Sequence, residues 1–309
     1  MDDCGHIPVL PQEVVQVLNP HDADVIVDLT AGRGGHAVQL AQHAHIKPTV
    51  VLFDLDKDNL AFATARVEAT GATVHAIHAN FITVATAMKH LGLQADCVLA
   101  DLGFASNQMD EAIRGLSFKS DGPLDMRLNT DFGVTAADII KMSTEEELAN
   151  LIYSLGEEPY SRRIARKITL EKQKEPILNT ARLAQIVRNA YGARARSSRM
   201  HPATRTFMAL RIAVNDELIA LDALLYECQA GCRLVNEDGW LSKGARLAII
   251  SFHSLEDRRV KHAFVDLEKH GLATRITRKP ICASDAEIAL NPRSRPAKLR
   301  AVHVLAEAV

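Results

Sequence analysis

The chain has 309 residues, of which 47% are hydrophobic and 24% charged, and its formal net charge is −2. These values are ordinary for a soluble globular protein. The longest apolar runs, such as 247–250, are far too short to span a bilayer, so no membrane partner is expected. The first residues, Met1-Asp2-Asp3-Cys4, lack the basic and apolar regions of a signal peptide, which favours a cytoplasmic protein.

The first third of the chain alternates between predicted strands and helices. Short apolar runs predict strands at 25–29, 50–55, 73–77 and 96–101, and helical patterns lie between them at 34–44, 57–69 and 81–91. This alternation is typical of βαβ units, in which a parallel sheet carries helices on both faces. We therefore expect an α/β fold.

A glycine-rich turn, Gly32-Arg33-Gly34-Gly35-His36, follows the first predicted strand. Glycines let the backbone pass close to a ligand, and the next helix offers free N–H groups and a positive dipole end. The second strand ends on carboxylates about 20 residues further on, which is the layout of a site for an adenosine-bearing cofactor. Gly32-x-Gly34-x-x-Ala37 also fits the dinucleotide fingerprint, and Arg33 could meet a phosphate, so NAD is an alternative.

Carboxylates at the strand ends favour S-adenosylmethionine over NAD. The carboxylate of Asp28 would attract the ammonium group of a methionine moiety and repel a pyrophosphate. Capping of a turn is the alternative role for Asp28. Asp54 is placed to accept hydrogen bonds from ribose hydroxyls, and Asp56, on the same face of an extended strand, is the second candidate. Asp101 ends the fourth strand, beside the first in a doubly wound sheet, at the crevice where ligands bind. A turn cap is its structural alternative.

The middle of the chain differs from both ends. From about 110 to 200 no strand is predicted, whereas 145–155, 161–172 and 180–191 show helical patterns. We therefore expect a mostly helical insertion at 109–204, between two parts of one α/β core at 1–108 and 205–309.

The insertion and the start of the next segment carry much of the basic charge. Between Tyr160 and Arg211 there are thirteen Lys or Arg and two acids, a net charge of +11, which leaves about −13 for the remainder. This imbalance predicts a phosphate-rich partner. Solvated helix faces are the alternative interpretation.

The last third predicts an amphipathic helix at about 206–230 and strands at 245–252 and 300–306. Its basic residues Arg293, Arg295, Lys298 and Arg300 are expected to extend the basic surface. The five cysteines, Cys4, Cys97, Cys228, Cys232 and Cys282, lack the spacing of a disulfide framework or a zinc site. No metal site is therefore predicted.

Several motifs occur in order along nearly the whole chain. They are His6–Leu10, Asp28–His36, Asp101–Gly103, Asp121–Arg127, Gly156–Glu158, His201–Phe207, Ile250–Arg258 and Asn291–Arg295. In these stretches the chain closely resembles the S-adenosylmethionine-dependent methyltransferases of small-subunit (16S) ribosomal RNA known as the RsmH or MraW family. One departure is Phe104-Ala105-Ser106-Asn107-Gln108, where the family has a small apolar residue and two serines before the glutamine.

The resemblance implies N4-methylation of a cytidine in the ribosomal decoding region by a Rossmann-like class I methyltransferase with an inserted helical domain. It implies 16S ribosomal RNA or the small ribosomal subunit as partner, and the sequence leaves a homodimer possible. The cofactor contacts implied are Gly34, Gly35, His36, Asp54, Phe81, Asp101 and Gln108. The substrate contacts implied are His201, Arg205, His253, Arg258 and Arg293.

The expected chemistry needs no strong base. The exocyclic N4 of cytosine is a poor nucleophile, but a sulfonium methyl is strongly activated, so holding N4 in line and polarising an N–H suffices. Asp101 is the candidate catalytic residue. C5-methylation would instead need a thiolate, and Cys97 lies four residues before Asp101, away from the catalytic end. A non-catalytic RNA-binding assembly factor and an NAD-dependent oxidoreductase are the two competing functions.

Overall fold

A computed structural model describes residues 7–44, 46–104, 108–109, 111–131, 133–196 and 200–305. Its contacts divide the chain into two compact units. Unit 1 is Met1–Gly103 with Leu218–Val309, and unit 2 is Phe104–Glu217. Unit 2 thus begins before and ends after the predicted insertion at 109–204.

Unit 1 is built on one mixed sheet. Its strands are β1 (Val25–Asp28), β2 (Thr49–Asp54), β3 (Thr73–His78), β4 (Ala95–Asp101), β5 (Leu241–Ser251), β6 (Ala273–Arg275), β7 (Ile281–Cys282) and β8 (Lys298–Val304). They follow the order β3-β2-β1-β4-β5-β8-β6, with β7 paired to β8. Strands β1 to β5 are parallel, whereas β8 is antiparallel to its neighbours. The connections reverse direction between β1 and β4, which confirms the Rossmann-like α/β fold and marks the crevice where ligands bind in such sheets.

The described helices include those predicted in the first third of the chain and in the insertion, with small shifts at their ends. In chain order they are α1 (Pro11–Leu18), α2 (Gly35–His43), α3 (Lys57–Glu68), α4 (Val84–Leu91), α5 (Ala136–Met142), α6 (Glu145–Gly156), α7 (Ser161–Lys172), α8 (Thr180–Tyr191), α9 (Thr204–Val214), α10 (Glu217–Arg233), α11 (Ser254–Lys269) and α12 (Asp285–Leu290). A short 3-10 turn, Phe81–Thr83, precedes α4. Within the described residues, no helix is long and apolar enough to cross a membrane.

Side-chain alternation along the strands divides the interior of unit 1 into two apolar cores. Along β2, Val51 and Phe53 enter one core, while Val50 and Leu52 enter the other. The first core also holds side chains of α4, α10 and α11, and the second holds side chains of α1, α2 and α3. Because successive strand residues point to opposite faces, the continuous apolar runs in the sequence require helices on both faces, as predicted.

The regular elements in the described part of unit 2 are helices, apart from one isolated bridge between Pro123 and Asn179. Helices α6, α7 and α8 reproduce the three predicted helices to within one residue. In α7 the buried residues Ile164, Ala165 and Ile168 form the i, i+1, i+4 stripe of an amphipathic helix. A third apolar core collects the buried faces of α5 to α9.

The single helix predicted at 206–230 is wrong, because α9 and α10 are separated at Asn215 and Asp216. The Asn215 side chain donates to the carbonyls of Met126 and Arg211, at 2.8 and 2.9 Å, and accepts from the backbone N–H of Leu128. Asp216 adopts a left-handed conformation, with φ 49°. An asparagine that bonds to backbone carbonyls competes with helix continuation, and apolar periodicity alone does not reveal this.

Candidate cofactor site

The carboxyl ends of β1, β2 and β4 share one edge of the sheet, where β2 and β4 each extend two residues beyond the end of β1. Asp28 is in register with Leu52 on β2 and Leu99 on β4. The turn after β1 is tied back to these strands, because Leu29 N donates to Leu99 O and Ala31 N donates to Phe53 O, both at 2.9 Å. The glycine turn therefore sits directly over the strand ends where the carboxylates gather.

Gly34 has a structural reason to be glycine. It precedes α2 with φ 76°, and a Cβ at this position would lie 3.1 Å from Ala63 Cα. Gly35 begins α2 with an ordinary backbone conformation, and its Cβ would meet Pro8 only at 3.4 Å. The fold thus requires glycine at Gly34, whereas Gly35 leaves backbone accessible at the start of a helix, where a ligand can approach.

Asp54 and Asp56 have different partners. The Asp54 carboxylate accepts from Gly32 N at 2.7 Å and from Asp56 N at 2.8 Å. Burial raises the pKa of Asp54 to about 6. Asp56 caps α3, since its Oδ1 accepts from the backbone N–H groups of Asp58 and Asn59. Asp56 is buried and its capping oxygen is engaged by the helix. Asp54 ends β2 at the crevice and can accept further hydrogen bonds there, so it is the better candidate for the ribose hydroxyls.

Asp28 is almost completely buried at the end of β1. Its Oδ1 accepts from Thr30 N at 3.1 Å, so the turn-capping interpretation is correct as far as it goes. Burial, partly offset by His36, raises the pKa of Asp28 to about 6. A buried carboxylate that accepts so few hydrogen bonds from the described residues retains the capacity to bind a cationic ligand group.

Asp101, His36 and Thr30 meet at the switch point. Asp101 N donates to Thr30 Oγ1 at 2.7 Å, and His36 Nε2 lies 3.6 Å from Asp101 Oδ2. Asp101 Oδ1 and His36 Nδ1 are buried without a hydrogen-bond partner in the described structure. Such orphaned polar atoms are rare in proteins, and here they fit a ligand that supplies N–H or O–H groups. Thr30 was not predicted, because its only signal in the sequence is its place just after the strand.

The structure places the other residues predicted near the cofactor as follows. Phe81 begins the 3-10 turn after β3 and packs against the apolar core beneath α4; its contact with adenine stays a prediction. Gln108 is buried within unit 2. The guanidinium of Arg33 lies 3.9 Å from the centre of the Phe62 ring on α3, so a cation–π contact engages it.

In unit 1, the predicted substrate residues differ in their surroundings. His253 caps α11 in a capping box with Glu256, and its Nε2 lies 3.2 Å from Glu256 Oε1. Arg258 and Arg293 are exposed. Arg300, expected on the basic surface, is instead buried on β8 and donates to Asp257 at 2.7 Å, so that expectation is wrong.

In unit 2, His201 stacks on Phe118 with ring centres 4.5 Å apart and an interplanar angle of 24°. Burial and the charge of Arg188 lower the pKa of His201. Arg205 donates to the carbonyl of Glu157 at 3.0 Å. Phe118 was not predicted, since a lone aromatic residue outside a helical pattern gives no local signal. The roles of His201 and Arg205 in substrate binding stay predictions.

The departure after Gly103 is only partly visible. The Phe104 ring lies under the guanidinium of Arg211, 4.8 Å from its centre. Residues 105–107 lie outside the described residues. The bulky ring therefore serves as a cation–π partner within unit 2.

Cys97 cannot serve as a nucleophile at this edge. It is buried on β4 in register with Ile26, about 13 Å along the strand from Asp101 at the usual rise per residue. Burial, with the charges of Asp24 and Asp96, strongly raises the pKa of its thiol. The thiolate needed for covalent C5 chemistry is thus disfavoured and distant.

The doubly wound sheet, the glycine turn and the carboxylates at the switch point together define a Rossmann-like S-adenosylmethionine-dependent methyltransferase. Residues 3–305 match the model of the MraW methylase family, and the chain belongs to that family.

Three curated relatives are each named "Ribosomal RNA small subunit methyltransferase H". The protein from Geotalea uraniireducens is 40% identical and is aligned over 97% of this chain and 99% of its own. That from Prochlorococcus marinus is 46% identical over 100% and 93% of the two chains. That from Cyanothece sp. is 43% identical over 96% and 93%. These alignments cover both units.

Proposed function

We propose that this protein transfers a methyl group from S-adenosylmethionine to the exocyclic N4 of a cytidine in the decoding region of 16S ribosomal RNA. The observation that carries the transfer chemistry is the pair of His36 and Asp101, which has three buried polar atoms without a hydrogen-bond partner in the described structure. The buried carboxylate of Asp28 ends the neighbouring strand. The names of the relatives support small-subunit ribosomal RNA as the substrate.

Each strand-end carboxylate has a distinct part in this proposal. Asp54, held by Gly32 N and Asp56 N, accepts from the ribose hydroxyls of the cofactor. The negative charges of Asp28 and Asp101 offset the positive charge of the cofactor's amino group. Asp101 also polarises the N4–H bond of the cytosine. The cofactor supplies a methyl that is already activated on its sulfonium, so orientation and charge stabilisation are the protein's main contributions.

N4 rather than C5 is supported by the position of Cys97. Covalent C5 chemistry would need a thiolate near Asp101, and Cys97 lies on the same strand but in its other half, with its pKa raised by burial. N4 chemistry needs only hydrogen-bond acceptors at the crevice, which the carboxylates provide.

We further propose that unit 2 binds RNA phosphates through α7. The buried stripe of this helix leaves Arg162, Arg163 and Arg166 exposed on its other side. None of the three has an acidic partner among the described residues. By contrast, Lys174 and Arg182 form ion pairs with Glu171 at 3.1 and 2.8 Å. The exposed arginines of α7 are thus available to a polyanion.

The transfer is tested by incubating the protein with labelled S-adenosylmethionine and small ribosomal subunits or their RNA, followed by nucleoside mapping. The expected product is N4-methylcytidine at one position. Label on C5 would contradict the N4 assignment, and no label on either substrate would favour the non-catalytic alternative. Tight binding of NAD without binding of S-adenosylmethionine would favour an oxidoreductase.

The RNA surface is tested with a matched pair of double variants. Arg162→Gln with Arg166→Gln removes two exposed charges of α7, whereas Lys174→Gln with Arg182→Gln removes two charges that are ion-paired with Glu171. We expect the first pair to reduce the slope of log affinity against log salt by about 2, and the second to change it little. Equal slopes for the two pairs would contradict the role of α7.

We also infer that the protein acts in the cytoplasm, where small subunits are assembled. A homodimer stays a prediction, which light scattering of the purified protein would test.

A further inference from the structure

The imidazole of His36 is buried in the first turn of α2, with 6% of the residue exposed. Neither ring nitrogen has a hydrogen-bond partner in the part of the chain that the structure describes. A polar group left unpaired in an interior destabilises the fold, because it has lost its hydrogen bonds to water. If His36 only filled space, an apolar residue of similar size would therefore give a more stable fold.

The nearest polar group is the carboxylate of Asp101. Its Oδ2 lies 3.6 Å from His36 Nε2, slightly beyond hydrogen-bond distance, and such contacts often shorten when a ligand closes a site. The backbone N–H of Asp101 is held by Thr30 Oγ1 at 2.7 Å. The residue is thus held at its backbone by the turn after β1, while its carboxylate faces α2.

The two carboxylate oxygens differ in their surroundings. Oδ2 faces His36, while Oδ1 is buried and has no hydrogen-bond partner among the described residues. Asp28, at the end of the neighbouring strand, is close enough to Asp101 for the two negative charges to interact. Two carboxylates that converge in this way suit a cationic N–H donor.

We propose that His36 is the positioning residue of Asp101. Its Nε2–H donates to Asp101 Oδ2 and thereby directs Oδ1 toward the amino group of bound S-adenosylmethionine. This inference rests on the proposed function for the identity of the ligand, but it concerns binding of the cofactor and not the transfer to RNA. His36 acts through Asp101 and does not itself touch the reacting atoms.

Three substitutions separate positioning from space filling. His36→Gln can place an amide N–H close to the position of Nε2, His36→Asn places one near Nδ1, and His36→Leu keeps volume without a donor. The affinity of each full-length variant for S-adenosylmethionine is measured by calorimetry, and thermal unfolding reports whether it is folded. Asp101→Asn and the His36→Leu/Asp101→Asn double variant complete a cycle.

We expect His36→Leu and His36→Asn to raise Kd for S-adenosylmethionine about tenfold, the loss typical of one hydrogen bond to a charged group. We expect His36→Gln to bind within about threefold of the unaltered protein. Once Asp101 is asparagine, His36→Leu should have less than a threefold further effect, because the group it positions is already altered.

Three results would overturn the inference: unaltered affinity in His36→Leu, equal losses in His36→Gln and His36→Asn, or fully multiplicative effects of His36→Leu and Asp101→Asn. If His36→Leu does not fold, the comparison of the glutamine and asparagine variants decides alone. Failure of the proposed function has a different signature. The unaltered protein would then bind S-adenosylmethionine and leave ribosomal RNA unmethylated, or it would not bind the cofactor at all.

Discussion

Asp54 Oδ2 accepts a 2.7 Å hydrogen bond from the backbone N–H of Gly32, which ties the end of β2 to the turn that follows β1. Two stretches about 20 residues apart in sequence thereby become one structure. The carboxylate both shapes the glycine turn and presents its remaining lone pairs to a ligand. A substitution of Asp54 should therefore affect the affinity for the cofactor more than any other property of the protein.

The first prediction compares Asp54→Ala with Asp56→Ala. Asp54→Ala should weaken binding of S-adenosylmethionine at least tenfold, since the ribose acceptor and the anchor of Gly32 are lost together. Asp56→Ala removes the cap of α3 and should cost about 1 kcal/mol of stability with little change in affinity. Calorimetry and urea unfolding measure both quantities. Unchanged affinity in Asp54→Ala would move the ribose role to Asp56.

The second prediction concerns pH. Burial raises the pKa of Asp28 and Asp54 from 3.8 to about 6. In the unliganded protein, both groups stabilise the fold most when protonated, so their contribution is full below pH 3.8 and is lost as pH rises to about 6. Ligand N–H and O–H donors have the opposite preference, because they favour the ionised carboxylates.

Affinity for S-adenosylmethionine should therefore rise as pH increases through about 6, with protons released on binding below that pH. Calorimetry at pH 5.5 in buffers of different ionisation enthalpy measures the release. Asp54→Asn should reduce the number of protons released. An affinity that stays constant between about pH 5 and pH 7.5 would contradict the ligand role of both groups.

The third prediction concerns Gly34. In Gly34→Ala the left-handed backbone and the close approach to Ala63 both oppose a Cβ, so we expect a loss of about 3 kcal/mol. Gly92→Ala is the matched control, because its φ is 66° and nothing lies within 4 Å of a Cβ there. It should cost only the backbone term, about 1 kcal/mol. Equal losses by urea unfolding would show that the contact with Ala63 relaxes freely.

The fourth prediction is that Cys97→Ala retains methyl transfer. The thiol is buried away from Asp101, so its removal leaves a small cavity and a loss of about 1 kcal/mol or somewhat more. Asp101→Ala, by contrast, should reduce transfer by a hundredfold or more, in the range typical of a lost electrostatic contact. Single-turnover assays at saturating cofactor measure both variants. Abolished transfer in folded Cys97→Ala would revive the covalent C5 mechanism.

Secondary structure in the first third of the chain was largely predictable because its strands are short, mostly apolar and bounded by turns. The strands predicted at 25–29 and 96–101 each match the structure to within one residue. What could not be predicted depends on partners distant in sequence. The break at Asn215 arises from contacts with Met126 and Leu128, and the burial of Arg300 arises from Asp257.

The family motifs contain residues that maintain the fold as well as residues that bind ligands. Gly156 belongs to a stretch that carries the family resemblance, yet a Cβ there would lie 2.7 Å from Arg205 O, so close packing of α6 on α9 explains it. In the same stretch, Glu158 is fully buried and accepts from Tyr191 Oη at 2.7 Å. Motif residues of this kind maintain the fold of unit 2, and sequence alone does not separate them from residues that touch ligands.

The place where unit 2 joins unit 1 has a consequence for how such a chain could be assembled. Unit 2 leaves after β4 and returns into α10, which leads to β5, the parallel neighbour of β4. A strand, a helix and an adjacent parallel strand already form a complete right-handed crossover. The 114 residues from Phe104 to Glu217 are thus a domain inserted into the connection between β4 and β5. A short linker from Gly103 to Leu218 should therefore replace unit 2 without breaking the sheet of unit 1. By the same reasoning, another domain could be inserted at this position in place of unit 2.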